Sequence, residues 1–232
     1  MSGAHPAGGR LPSRLADRFF LAAHTGDDRL APGILDERLA MGCAAALLGE
    51  LVLDDEIALA PVVRPSGPGR CPDFLAWTIL REVRHGAERD LRGWFELLGN
   101  DAGHKVRARL VLVDALREVR PSGGRRGGPL TAWRTVNNQV GSTAEVLERL
   151  FTDDDNAARN GMISPSQRLA DIVLALLVRE TGVLRQIELS KRAAGQGEAR
   201  MEAWRSRFPP ALRALVDELS DLCARSSIRA PW

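Results

Sequence analysis

The run LAMGCAAALLG, Leu39 to Gly49, constrains this chain more than any other stretch. Wound on a helix it is apolar on every side and rich in small residues, so it has no face to offer to water. Such a helix is stable only when others surround it, and its Ala and Gly positions let those neighbours approach at short interaxial distance. We place it at the centre of a bundle, inside a helix from about Ile34 to Leu53. The uncharged run is about half as long as a bilayer crossing needs.

A second segment of the same kind, IVLALLV from Ile172 to Val178, ends towards Gly182 as its stop signal. Around these two, amphipathic patterns recur. Leu15 to Ala23 is helical and is broken by TGDD. Phe74, Trp77 and Leu80 mark one face of a further helix, and Leu91, Trp94, Phe95 and Leu98 one face of the next, closed by Gly99. Val106, Leu110, Val113 and Leu116 form another stripe, and Leu212, Leu215, Val216, Leu219 and Cys223 the last. Two capping boxes, Ser142 with Glu145 and Ser164 with Gln167, mark helix starts, the second with Pro165 at the first helical position. EIALAPVV reads as a short strand and RPSGPGRCP as the loop after it. VRPSGGRRGGPLTAW, Val119 to Trp133, reads as a glycine-rich basic tip whose far side, PLTAW, is a returning strand of a β-hairpin.

With 5 % aromatic residues and no tyrosine, the core must be filled by Leu, Ala and Val, which suits close-packed helices. The expected fold is therefore mostly α: a single-domain helical bundle over residues 13–228 with amphipathic helices around it and a short projecting β-hairpin. The first dozen residues, MSGAHPAGGRLP, lack the apolar core of a signal peptide and read as a disordered arm, residues 1–12.

Several chemistries have no residues to carry them. There is no P-loop and no dinucleotide fingerprint. DDDNAARNGMIS from Asp153 begins like a calcium loop, but Ala158 stands where glycine is required and Ser164 where a bidentate glutamate is required. His5, His24, His85 and His104 show no metal spacing and read as surface or cap histidines, and Cys43, Cys71 and Cys223 are too scattered for a disulfide frame or a zinc site, as fits a reducing cytosol. No serine sits in a nucleophile elbow, and Glu50, alone in the central helix, reads as a satisfied buried carboxylate. We expect no enzyme, no metal and no cofactor.

The balance of 32 basic against 30 acidic residues, +2 overall, is too even for a dedicated nucleic-acid binder. Almost every basic residue is Arg, which reads as a GC-rich genome. A basic surface is nevertheless visible locally. His104 and Arg107 share a helix face, with Lys105 and Arg109 beside it, and Arg125, Arg126 and Arg134 flank the hairpin. A solvated rim and an anion site both fit this pattern, and the glycines around Arg125 and Arg126 would let backbone N–H groups reach an anion as well.

The order of segments resembles the Golgi phosphoprotein 3 family, peripheral membrane proteins that read phosphatidylinositol 4-phosphate, with this chain similar to bacterial, actinobacterial-type relatives. The likeness is carried by RLADRFFLAAHTGDDRL, LLGELVLDDEIAL, GWFELL with VRARLV, and SQRLADIVLALLV. It implies a mostly helical fold with a projecting β-hairpin, a place on the inner face of the cell membrane as a cytoplasmic peripheral protein, and anionic lipids and the cytoplasmic tails of membrane proteins as partners. The family's headgroup contacts, a Trp and three Arg, fall on Leu35, Ala44, His104 and Arg107, and its apolar hairpin tip is replaced by SGGRRGG, which suits charge contact with anionic headgroups. The lipid-contact set expected is thus Arg107, His104, Arg125, Arg126 and Arg134. A different class of function, a DNA-binding regulator using the basic hairpin as a wing, is the alternative.

Overall fold

The computed structural model describes residues 14–25, 31–32, 36–59, 61–71, 73–119, 132–136, 140–152 and 164–229. Helices dominate. In chain order they are α1 (Leu15–Ala22), α2 (Asp36–Leu53), α3 (Phe74–His85), α4 (Leu91–Gly99), α5 (Ala102–Leu112), α6 (Val140–Thr152), α7 (Pro165–Glu180), α8 (Lys191–Arg207) and α9 (Pro210–Arg229), with a 3-10 turn at Val183–Gln186. Three small antiparallel pairs complete the described residues: β1 (His24–Thr25) with β2 (Ala31–Pro32), β3 (Ile57–Ala58) with β4 (Arg64–Pro65), and β5 (Leu116–Val119) with β6 (Ala132–Thr135). The fold is mostly α with a short hairpin, as the composition implies.

α2 is the hub, packed by α1, α4, α5, α7 and α9. Every residue from Met41 to Leu51 is buried, on all sides of the helix. Small side chains make this possible. The Phe19 ring of α1 lies so close to Gly42 that a Cβ there would stand 2.0 Å from Phe19 Cζ. α7 is the second central helix: Ile172 to Val178 are all buried, and Gly182 beyond its end has the left-handed φ of +84° that a stop signal requires. The last stripe also holds, with Leu212, Leu215, Val216, Leu219 and Cys223 buried along α9.

Several local expectations are corrected. On α3 the buried face is Leu75, Ala76, Ile79 and Leu80, while Phe74 and Trp77 stack on each other in solvent, 77 % and 43 % exposed, with Arg81 over the Trp77 ring at 4.7 Å. The α5 stripe stops short: the helix ends at Leu112, Asp114 turns the chain with a φ of +54°, Val113 is exposed, and Leu116 is buried from strand β5 instead. EIALAPVV contributes only Ile57–Ala58 as strand, and the following loop supplies its partner, Arg64–Pro65. That loop is ordered by buried Glu56, whose carboxylate accepts the backbone N–H groups of Gly69 and Arg70, both at 2.7 Å. α6 starts at Val140, so Ser142 lies in its first turn and not at its cap. Ser164 does cap α7, accepting from Gln167 N at 3.1 Å, but the Gln167 side chain turns to Asp171 instead of closing the box. The N-terminal arm, the Asp153 loop, Leu35 and the hairpin tip with Arg125 and Arg126 lie outside the described residues.

A candidate anion-binding cleft beside the hairpin

α5 carries two arginines with opposite orientations. Arg109 points inward and is only 7 % exposed, although the spacing of basic residues suggests a surface position. Its Nε donates to Asp17 of α1 at 2.8 Å, Nη1 and Nη2 donate to the two oxygens of Glu50 in α2 at 3.0 and 2.9 Å, and Nη1 also reaches Asp73, the N-cap of α3, at 3.3 Å. Glu50 further accepts Ala16 N at 2.8 Å and lies 3.1 Å from Arg14 Nη2, so the expected satisfied carboxylate is found. Burial is the main reason the Asp17 carboxyl is pushed up to about 7. Arg109 opposes this rise, and neighbouring Glu50 and Asp73 reinforce it. Ionic contacts from three elements thus fix the rotation of α5 about its axis.

That rotation turns Arg107 outward. Its guanidinium sits over the indole of Trp133 from β6 at 5.0 Å and donates to His104 Nδ1 at 2.6 Å. Because a guanidinium can only donate, His104 Nδ1 accepts here, and the neutral ring keeps its proton on Nε2. These three side chains form one wall of a cleft of about 540 Å³. Phe20 of α1, His24 of β1 and Asp36, Glu37, Leu39 and Ala40 of α2 line it as well. Gly99 and Gly103 leave the α4–α5 wall bare, since a Cβ on either would meet no atom within 4 Å. At the start of α5 the first backbone N–H groups have no intrahelical acceptor and lie next to this opening.

The structure therefore brings His104 and Arg107 together and adds Trp133 and His24, neither of which was expected at the site. Arg134 does not join them: in the ladder it pairs with Arg117 and alternates to the other side from Trp133. Ala44, where the resemblance puts a headgroup arginine, is fully buried, and α2 meets the cleft earlier along the helix, at Asp36, Glu37, Leu39 and Ala40. His24 is buried at 7 % exposure and so is not a surface histidine; of the two expectations the cap holds, since its Nδ1 lies 2.6 Å from the carbonyl oxygen of Phe20 in the last turn of α1. Among the described residues no group of His, Cys, Asp and Glu is placed to hold a metal ion, and no helix is long and apolar enough to cross a membrane.

The family model for Golgi phosphoprotein 3 matches residues 15–219. The chain belongs to that family. No curated protein matches it. Membership covers every element from α1 into α9 and is consistent, at a coarse level, with a membrane-associated role in a family that is not one of enzymes.

Proposed function

We propose that this Golgi phosphoprotein 3 family member is a peripheral membrane protein that docks on anionic lipid, taking a phosphate-bearing headgroup of the phosphoinositide type into the Arg107 cleft. The observation that carries the reading is the convergence of donors there. Arg107, the Nε2–H of His104 and the open N–H groups of α5 line one wall, with Trp133 beside them as an apolar flank. Asp36 and Glu37, which also line the cleft, favour a headgroup that carries hydroxyl donors over a bare anion. The charge of Arg125 and Arg126 adds attraction to anionic headgroups, and the tails of membrane proteins are the partners the family resemblance supplies.

Gly103→Leu tests the cleft itself. Its side chain would enter open space, so the fold is kept and replacing a helical glycine adds up to about 1 kcal/mol of stability. Co-sedimentation with phosphatidylcholine vesicles carrying phosphatidylinositol 4-phosphate should be lost in Gly103→Leu and weakened about tenfold in Arg107→Ala. Retention of duplex DNA at matched salt, without vesicle binding, would select the DNA-binding alternative.

A further inference from the structure

Among the nitrogen groups that line the cleft, His24 has the opposite polarity to Arg107. His24 Nδ1 lies 2.6 Å from the carbonyl oxygen of Phe20 in the last turn of α1. A carbonyl can only accept, so Nδ1 holds a proton and the lone pair of the neutral ring sits on Nε2. The ring is tilted by 31° against the Phe20 ring with centroids 4.2 Å apart, so it cannot swing aside freely. His24 lines the cleft, and no described residue bonds its second nitrogen. A neutral His24 therefore brings a lone pair to the cleft that Arg107 also lines. An oxyanion oxygen also carries lone pairs, and the two repel.

We propose that His24 is the proton-linked contact of the cleft: it meets a bound oxyanion by taking a proton on Nε2, so that anion binding at this site is coupled to proton uptake. The inference rests on the reading of the cleft as an anion site. Burial holds the imidazole below its usual range. The Phe20 carbonyl opposes that shift, Arg107 of α5 adds to it, and Asp36 of α2 opposes it. Glu37 of α2, held by Ser226 Oγ at 2.5 Å, and His104 of α5 are the other titratable groups around the cleft, and Trp133 of β6 carries no charge. The sign follows from these positions. Free His24 is neutral at pH 7.5, an anion seated beside it raises its proton affinity, and binding must tighten as the pH falls until the free imidazole is itself protonated.

The test needs an anion whose own charge is constant, because a phosphomonoester titrates near pH 6. Inorganic sulfate serves in solution, and vesicles of phosphatidylglycerol in phosphatidylcholine serve as the membrane arm. Calorimetric titration of the full chain with sulfate at pH 7.5 and 5.0 should show affinity rising about tenfold, the change expected if binding raises the imidazole pKa by about one. His104→Gln should keep most of that rise and His24→Gln should lose most of it. Vesicle partitioning should follow the same pattern if a lipid headgroup enters the cleft, and only the sulfate arm should follow it if the site takes free anions. Imidazole NMR of the unaltered protein supplies a readout without any variant: the His24 midpoint should move up when sulfate is added. Sulfate binding with a flat pH profile, or a rise that disappears with His104→Gln and survives His24→Gln, overturns the role of His24 and leaves the anion cleft standing. Absence of sulfate and vesicle binding at both pH values overturns the cleft reading and this inference with it.

Discussion

Replacing Arg109 with methionine removes one positive charge from among three carboxylates while keeping a side chain of similar length. Arg109 makes four hydrogen bonds, to Asp17, Glu50 and Asp73. The cost is not four times that of one bond, because the partners differ in what they keep. Glu50 retains Ala16 N and Arg14, and Asp73 retains its capping bond to Ala76 N at 2.9 Å and its contact with Arg14. Asp17 is left without a partner in the cluster, but its carboxyl already titrates near 7 and takes up a proton at little cost. The main penalty falls on Glu50, 4 % exposed and only partly neutralised. Breaking a buried pair from one side costs about 3–5 kcal/mol. We expect Arg109→Met to lose that amount at pH 7.5, which in a chain this long corresponds to about 2–4 °C of Tm per kcal/mol. At pH 5.0 the deficit should be smaller, because the orphaned Asp17 carboxyl holds a proton there. Urea unfolding of both proteins at the two pH values measures it. A loss below about 1 kcal/mol at pH 7.5, or a deficit that grows on acidification, would refute the account of α5 as a helix pinned by buried charge.

Asp17→Asn isolates one member of the cluster. Between the ordinary carboxylate value of 3.8 and about 7 the native state binds more protons at Asp17 than the unfolded chain, so wild-type stability gains from acidification there by up to about 1.4 kcal/mol per pH unit, and the asparagine variant should lack that gain. Parallel stability profiles for the two proteins would count against it. Gly42→Ala puts a methyl group into the Phe19 ring and should cost about 1–3 kcal/mol, most of it recovered when Phe19→Leu is added in a double-mutant cycle. Arg125→Ala with Arg126→Ala should leave thermal melting unchanged and weaken partitioning onto anionic vesicles about tenfold to thirtyfold, with the difference narrowing as salt is raised; equal partitioning at low salt would remove the tip from the docking surface.

The two central helices were legible because an all-apolar segment can go in only one place. Met41 to Leu51 and Ile172 to Val178 are buried as their composition demands. α8 escaped the same reading. Its buried positions are only Ala193, Gly197 and Met201, four residues apart, so its contact face is made of small side chains and leaves almost no hydrophobic period, although Ser190 caps it by accepting Ala193 N. α3 offered two candidate stripes, and the aromatic one, Phe74 and Trp77, is larger than the aliphatic one that the core selected. In the site, the pairing of His104 with Arg107 follows from their three-residue spacing, whereas His24 and Trp133 arrive from elements distant in sequence and carry no local mark. Arg109 did carry one. It lies three residues after Val106 and next to Leu110, on the face those two bury, and the lone Glu50 of α2 was the complementary charge waiting for it.

The contact between Arg107 and Trp133 has a thermodynamic corollary. The described part of the hairpin is a four-residue ladder, Leu116–Val119 against Ala132–Thr135, and a two-stranded ribbon of that length is marginal unless something else holds it. The guanidinium over the indole is such a clasp, and the same guanidinium faces the cleft. Occupancy of the cleft and seating of the ribbon therefore draw on one group and form a linked pair of equilibria. Whatever free energy a ligand gains or loses by reorienting Arg107 appears, with equal magnitude, in how firmly the ribbon is seated, and a surface that captures the ribbon feeds back on headgroup affinity by the same factor.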